Sequence, residues 1–437
     1  MTDAGKLLES GISYLDVVII FSVGVYVLNT YLDFRQLKAI SKTSPPAPLR
    51  DSYSPVEYKK TQDYQLDKWY FGFFSAVFNH VLELTLLSLY YLPWLWGKSE
   101  TLTEYLAEKS GWFSSSEIPI TIVFFLLDGA KDTLISLPFS LYHTFVLEQH
   151  HGFNKQTVRL FVLDFIKSML LGLALGPPII GGFTWILQRT SAYMPLYLWA
   201  FFFGLQIFFM TIYPVFIAPL FNKFSPLEKG PLRTAIEELA GSLTFPLTKL
   251  FVIDGSTRSA HSNAYMYGFF KNKRIVLYDT LIEQCTEPQV VAVLAHELGH
   301  WKLGHTVKNL ILTQMQMLCT FALFSLVKES KGLFTSFGFV DQQPAFIAYT
   351  LFSIISAPVN EVVGLLTNIL SRRFEFQADA FAVSLGKAEE LKQALKILDA
   401  KNRSAVNVDA WYSAYHHSHP PLVERLTAVD AATKKEE

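Results

Sequence analysis

The chain has 437 residues, of which 51% are hydrophobic and 17% are charged, whereas soluble domains carry about 25% charged residues. This excess of apolar side chains indicates a protein whose solvent is lipid. A net charge of −1 argues against a nucleic-acid partner, and the presence of only two cysteines, Cys285 and Cys319, excludes a disulfide framework.

Seven apolar segments are long enough to cross a bilayer, which takes about 20 helical residues. They lie near residues 13–32, 70–96, 118–146, 160–187, 194–219, 307–328 and 345–370. No small-residue cleavage site follows the first segment, so we interpret it as a span and not as a signal peptide. Basic residues concentrate in the loop after it, which predicts that this loop and the C-terminus face the cytosol.

Ionisable residues recur inside these predicted spans, where contact with lipid would be costly. They are His80, Glu83, Asp128, Lys131, Asp132, Asp164, Lys167 and Glu361. One interpretation is that pairs of charges hold packed helices together. The other, which we favour for the group as a whole, is that the helices surround a polar chamber.

The segment between the fifth and sixth spans has the pattern of a soluble domain with a small β-sheet. Pro231 to Leu243 has helical periodicity, Lys249 to Asp254 is rich in β-forming residues, and Ala264 to Thr280 reads as a β-hairpin. Thr286 and Pro288 predict the start of an amphipathic helix that continues to Lys302. The expected units are therefore 1–219 (spans), 220–306 (protease segment), 307–370 (spans) and 371–437 (cytosolic C-terminal segment).

The sequence His296-Glu297-Leu298-Gly299-His300 lies on this predicted helix. Two histidines four residues apart project from one face, so both imidazoles can bind one tetrahedral zinc ion. Glu297 lies beside them, where a carboxylate can accept a proton from the attacking water. The pattern predicts a metalloprotease with one Zn²⁺ per chain.

A catalytic zinc usually has three protein ligands. Gly304 and His305 are each one place off the spacing that would supply a third histidine, and His305 is expected on another face of the helix. Glu375 is the best remaining candidate, with Asp379 one helical turn further on, able to orient a ligating histidine. Considered alone, this segment also fits a charged helix end that leaves the membrane.

Histidines also cluster near the C-terminus, at His416, His417 and His419, with Arg425 close behind. A histidine with a guanidinium suits stabilisation of the oxyanion formed in peptide hydrolysis. The alternative is a surface turn, as Ser418, Pro420 and Pro421 suggest.

Together these motifs resemble the type I CAAX prenyl endopeptidases, a family of integral membrane zinc proteases. The resemblance covers nearly the whole chain. Besides the zinc helix, it includes the runs 151–155, 219–224, 254–256, 261–265, 373–379 and 418–421, with Arg425.

The resemblance implies a mainly α polytopic fold, with seven transmembrane helices around a large intramembrane chamber capped by the protease domain. It implies zinc held by His296, His300 and Glu375, Glu297 as general base and Asp379 behind the ligands. Three further residues are implied at the site: Asn263 and His419 would contact the substrate, and Arg425 would support the site.

By the same resemblance, the substrate is an isoprenylated CaaX protein that loses its C-terminal tripeptide, and some members make a second upstream cut. The partners are then this protein and membrane lipid. Lys434 and Lys435 suggest a dilysine signal and residence in the endoplasmic reticulum, with the inner nuclear envelope a further location; a solvated charged tail is the alternative.

Two other functions stay open on the sequence. A broad-specificity quality-control protease would share the zinc helix, although such proteins resemble shorter chains with fewer spans. A channel or transporter would explain the intramembrane charges, but it leaves the metal motif without a purpose.

Overall fold

The computed structural model describes residues 13–110, 114–189, 191–268 and 272–436. Long helices form its N-terminal half: α1 (Tyr14–Ile40), α2 (Pro55–Ser88), α3 (Tyr91–Ser110), α4 (Glu117–Tyr142), α5 (Val158–Leu187) and α6 (Met194–Ile212). Short π-helical turns, His143–Glu148 and Tyr213–Ile217, follow α4 and α6, and α7 (Ala218–Phe221) ends this half.

The second half begins with a small mixed sheet and its helices. In chain order these are β1 (Phe224–Pro226), α8 (Pro231–Ser242), β2 (Leu247–Ile253), β3 (Ala264–Tyr267), β4 (Lys273–Tyr278), α9 (Asp279–Gln284) and α10 (Glu287–Lys302). The remaining helices are α11 (His305–Val327), α12 (Lys331–Ser336), α13 (Ala345–Ile355), α14 (Ala357–Ser384), α15 (Ala388–Lys401), α16 (Ala410–His416) and α17 (Leu422–Glu436).

Membrane-crossing helices are found in both halves of the chain. Among the described residues, α1, α2, Met194–Phe221 and α11 are long and apolar enough to cross a bilayer, and α13 with α14 makes a fifth if this pair, bent by 59°, is one span. Helices α4 and α5 lie at two other predicted positions, although α4 carries the charged residues Asp128, Lys131 and Asp132. The protein is therefore a multi-pass membrane protein, and the count of seven spans stays a prediction.

The second predicted span differs from the helix that forms there. The sequence predicts a span over residues 70–96, whereas α2 covers Pro55–Ser88. It begins early because Ser54 and Glu57 form a reciprocal capping box, with Pro55 in the first turn. The helical path breaks before α3 because Tyr90 adopts a left-handed conformation, with φ of 51°.

The sheet places a free strand edge beside the predicted metal helix. Its order is β1-β2-β4-β3, with β2 and β4 parallel and the other pairs antiparallel. The predicted pairing of the two runs in Ala264 to Thr280 is confirmed, although Lys271 of the turn lies outside the described residues. Among the described residues β3 pairs with β4 alone, so its other edge is unpaired.

One hydrophobic core joins the sheet to α8 and α10. Ile236, Ile275, Leu277, Leu294 and Leu298 are all fully buried within it. Each such side chain contributes about 1.5–3 kcal/mol relative to an exposed one. Burial of this apolar face fixes the rotation of α10, and with it the direction in which His296 and His300 project.

Several of the ionisable residues within the predicted spans are paired. The Lys131 Nζ lies 2.7 Å from Asp128 Oδ1, and Glu361 is hydrogen-bonded to the hydroxyl of Tyr415. Asp164 pairs with Arg258, which follows the sheet strand β2, at 2.9 Å. The Lys131–Asp128 pair lies within α4 and therefore does not join helices, whereas the contacts of Glu361 and Asp164 each connect two separate segments of the chain.

Candidate metal centre and catalytic cleft

Helix α10 carries the first part of the site. It begins after the cap residue Thr286, as predicted, and the Thr286 side chain and Gln289 form a reciprocal capping box. His296 is only 6% exposed, while Glu297 and His300 are partly buried. Burial raises the pKa of the Glu297 carboxyl, against the opposing effect of the two neighbouring imidazoles.

Helix α14 carries the second part. Glu375 and Asp379 lie one turn apart on this helix and are 5% and 1% exposed. The two helices approach so closely at Gly299 that an added Cβ would lie 3.0 Å from the Phe381 side chain and 3.3 Å from the Ala378 Cα. Glycine at the fourth position of the motif therefore lets Glu375 reach the histidines.

His296, His300 and Glu375 converge with metal-ligand spacing. The two Nε2 atoms are 3.2 Å apart, and the Glu375 oxygens lie 3.5 Å from His296 Nε2 and 3.2 Å from His300 Nε2. Tetrahedral zinc with ligands at about 2.0–2.1 Å separates them by about 3.3 Å. Glu375 Oε2 is buried without a hydrogen-bond partner, so these residues fit a divalent cation.

Asp379 and Arg425 support the ligands from behind. Asp379 Oδ1 lies 2.8 Å from His296 Nδ1, and the Arg425 guanidinium donates two hydrogen bonds to Asp379, of 2.6 and 2.9 Å. Burial opposes the charging of His296, but its contacts with Asp379 and Glu375 raise the pKa of His296 to about 9. An environment that stabilises an imidazolium in this way also favours a bound cation.

A second chain of contacts supports His300, and sequence reasoning missed it. His300 Nδ1 lies 3.0 Å from His305 Nδ1, and His305 Nε2 lies 2.9 Å from Gln377 Oε1. The assumption that His305 shares the zinc helix is wrong. Helix α10 ends at Lys302, and Gly304, with φ of 70°, turns the chain so that His305 begins α11.

A cleft of about 420 Å³ opens onto the two histidines. Its lining includes Asn263, Glu297, His419 and Arg425. Asn263 immediately precedes the edge strand β3, and the exposed ring of His419 has its Nε2 atom 3.4 Å from Glu375 Oε1. Every predicted site residue therefore lies at this cleft or directly behind it, as Asp379 does.

Two of the C-terminal histidines lie elsewhere. His416 lines a different cavity, of about 240 Å³, with Glu361 and Tyr415. His417 contacts the ring of Tyr412, with ring centroids 5.5 Å apart. Only His419 of this cluster reaches the cleft.

A His-His-Glu group with two of its three members buried, beside a partly buried glutamate on helices joined to membrane spans, defines a membrane metallopeptidase of the HExxH class. Comparison with known proteins agrees. Residues 36–223 match the family model described as CAAX prenyl protease N-terminal, five membrane helices, and residues 226–433 match peptidase family M48.

Similar proteins cover almost the whole chain. The CAAX prenyl protease 1 homolog of Oryza sativa subsp. japonica is 50% identical over 97% of this chain and 99% of its own length. The human homolog is 41% identical over 94% of each. The crystal structure of S. mikatae Ste24p superposes with a TM-score of 0.90 at 38% identity, covering 96% of this chain and 99% of that one. The chain belongs to the CAAX prenyl protease 1 group of peptidase family M48 and is a metalloprotease.

Proposed function

We propose that this protein is a zinc endopeptidase that removes the C-terminal tripeptide from isoprenylated CaaX proteins. The observation that carries the proposal is the buried Glu375 carboxylate, which faces both imidazoles beside Glu297 and whose Oε2 has no hydrogen-bond partner. The substrate class follows from the relatives, which are named CAAX prenyl proteases and align along their full length. A second upstream cleavage, which the resemblance implies for some members, is tested with a substrate extended towards its N-terminus.

His296, His300 and Glu375 would hold one zinc ion, which supplies a Lewis acid for the scissile carbonyl and lowers the pKa of water. Glu297 accepts a proton from the attacking water and passes it to the leaving amine. Burial raises the pKa of Glu297, which makes its carboxylate a stronger base for the first of these transfers. His419, exposed at the cleft, donates to the developing oxyanion.

Arg425 has a supporting role in this mechanism. Its guanidinium is 14% exposed and lies 3.7 Å from Glu375 Oε2, while two of its hydrogen bonds go to Asp379. It therefore holds Asp379 against His296 and keeps positive charge close to the oxyanion.

The substrate would lie extended along the free edge of β3, in reach of Asn263. Main-chain hydrogen bonds to an edge strand supply affinity with little dependence on side-chain identity. This suits a protease whose substrates share a lipid-modified cysteine and vary in the residues around it.

We further propose that seven helices enclose a chamber above this cleft. A cavity of about 570 Å³ between α2 and α4 supports the idea, since seven polar residues are among those that line it. These include Ser75, Asn79, Asp132, Ser136, Ser140, His143 and Thr144. Polar groups at membrane depth are expected where helices enclose water.

The proposed location is the endoplasmic reticulum membrane, with the cleft on the cytosolic side and the inner nuclear envelope a second site of residence. Basic residues in the loop after α1 support this orientation. Glycosylation acceptor sites inserted beside Asp51 and beside Ser256 should both stay unmodified in microsomes. Glycosylation of either site would show that the cleft faces the lumen and not the cytosol.

The decisive assay is cleavage of a farnesylated CaaX peptide by the full-length protein, with and without a zinc chelator. Glu297→Gln should keep one zinc per chain yet lower turnover by about 10²–10⁴-fold, because the proton acceptor is gone. Equal cleavage of an unprenylated peptide would favour a broad-specificity protease. Retained turnover in the Gln variant would refute the assigned role of Glu297.

A further inference from the structure

The loop that carries Asn263 is tied to the membrane half of the protein. We call residues 259–263 the cleft loop. Ala260 N donates to the Phe153 carbonyl at 3.1 Å, Ser259 forms a β-bridge with Asn154, and the His261 ring stacks on the Phe153 ring, with centroids 4.3 Å apart. The loop is therefore built partly on the segment that follows α4.

One charged group of that segment contacts the loop directly. Glu148, at the end of the π-helical turn, is 9% exposed, and its Oε2 lies 3.5 Å from His261 Nε2. Its other oxygen, Oε1, accepts a hydrogen bond of 2.7 Å from the Tyr64 hydroxyl of α2. Glu148 thus links a membrane helix to the ring two residues before Asn263.

The opposite side of the loop is held by the protease half. Asn402 Oδ1 accepts from Ser262 N at 3.2 Å and lies 3.3 Å from His261 Nδ1. Thr280 Oγ1 donates to the His261 carbonyl at 3.1 Å. Each ring nitrogen of His261 therefore faces an oxygen, one from each half of the protein, and this arrangement fixes the plane of the ring.

The surroundings of Glu148 are those of a fixed anchor. Tyr64, Leu147 and Phe153 form a small buried cluster, with Phe71 and Ala260 packed against it. The cluster excludes water from one side of the carboxylate, and its hydrogen bonds consequently hold a single geometry. A displacement of Glu148 would be passed to His261 and the backbone that leads into β3.

We propose that Glu148, held by Tyr64, is a positioning residue that sets the cleft loop where Asn263 can hold the substrate. The proposal rests on the proposed function, since it takes Asn263 as a substrate contact. Asn263 holds substrate and transition state alike, so a displaced loop weakens substrate binding and leaves the proton transfers of Glu297 unaffected. The signature is a raised KM with kcat unchanged.

The test is steady-state cleavage of a farnesylated CaaX peptide by the full-length protein in detergent micelles. Glu148→Gln should raise KM about tenfold, because the variant loses the negative charge that faces His261 Nε2 at 3.5 Å. Its kcat should stay within about twofold and its zinc content at the wild-type value.

Asp164→Asn is the matched control. Asp164 pairs with Arg258 at the same junction, through contacts of 2.9 and 3.1 Å, but it does not touch His261. This variant should lose thermal stability and keep KM within about twofold, since that pair joins the halves without holding the ring.

Tyr64→Phe removes a single hydroxyl. It tests the positioning role of Glu148 if Glu148→Gln does not fold. It should raise KM by a smaller factor, about threefold, and the double variant should be no worse than Glu148→Gln alone, since both act through one contact. An unchanged KM in Glu148→Gln, or in Tyr64→Phe should that variant alone fold, overturns the inference. Failure of the wild type to cleave the peptide counts instead against the proposed function.

Discussion

Two groups of histidines and carboxylates in the described part of the chain have the spacing of metal ligands: His296, His300 and Glu375, and a second group of Asp67, His150 and His151. They differ in how their polar atoms are satisfied. In the second group Asp67 and His150 are exposed, and Asp67 Oδ2 already lies 2.7 Å from His151 Nε2. In the first, Glu375 is buried and one of its oxygens has no hydrogen-bond partner.

The difference teaches that ligand spacing alone does not define a metal centre. A buried carboxylate oxygen without a partner carries a large desolvation cost, which a cation removes. In the second group this cost does not arise, because Asp67 is open to solvent and already contacts His151. The first group also has Asp379 and Arg425 behind it, and such outer contacts orient the ligands and strengthen binding.

The largest effect is expected from removing the carboxylate of the first group, and the same change in the second group should have almost none. Glu375→Ala should release the metal and abolish peptide cleavage, a loss greater than the 10- to 100-fold typical of an outer contact. Asp67→Ala is the counterpart and should leave zinc content and cleavage within about twofold. Zinc per chain, measured by atomic absorption, checks both variants. Loss of zinc in Asp67→Ala would show that the second group also holds the metal.

Asp379→Asn should have the next largest effect. The amide keeps the size of the side chain but loses the charge that faces both His296 and Arg425. Zinc affinity, measured by competition with a chromophoric chelator, should fall about 10- to 100-fold. Asp164→Asn, which removes an equally paired carboxylate far from the ligands, should leave that affinity unchanged. Wild-type affinity in Asp379→Asn would show that the ligands need no support from this side.

His305→Phe should have the smallest effect. The phenyl ring can keep the stacking on Phe374, where the centroids are now 4.1 Å apart, but it loses the contacts with His300 and Gln377. We expect a decrease in zinc affinity of about tenfold or less, at the lower end of the range for outer contacts. Tyr412→Phe, an aromatic change remote from the ligands, is the control. A loss as large as that of Asp379→Asn would mean that both sides of the centre contribute equally.

The zinc-binding motif could be identified from the sequence because its spacing is local. Histidines four residues apart on one helix need only helical geometry to meet. Glu375 was identified as a candidate because Asp379 follows it by one turn, a pattern that also depends on one helix. The convergence of α10 and α14 was not visible in the sequence, since it depends on the close approach at Gly299.

Features that depend on single backbone conformations could not be predicted. The left-handed conformation of Gly304 moves His305 onto a new helix, and that of Tyr90 shifts the second span. No periodic pattern marks such positions, because a glycine or tyrosine in the sequence looks the same whether or not its backbone is left-handed. The junction of Glu148 with His261 was equally hidden, since 113 residues separate the two in the chain and only the folded helices bring them together.

Helix α14 runs without a break from the bend at Ser356 to Ser384, so one stiff element carries both the exposed apolar residues Val362 and Leu366 and the buried Glu375. A tilt that the bilayer imposed at Leu366 would be transmitted along the helix to the Glu375 carboxylate, nine residues further on. Where this helix crosses the bilayer, the hydrophobic thickness of the lipid would thereby be coupled to the position of the Glu375 carboxylate. The membrane in which this protein lies is in this sense part of its catalytic environment.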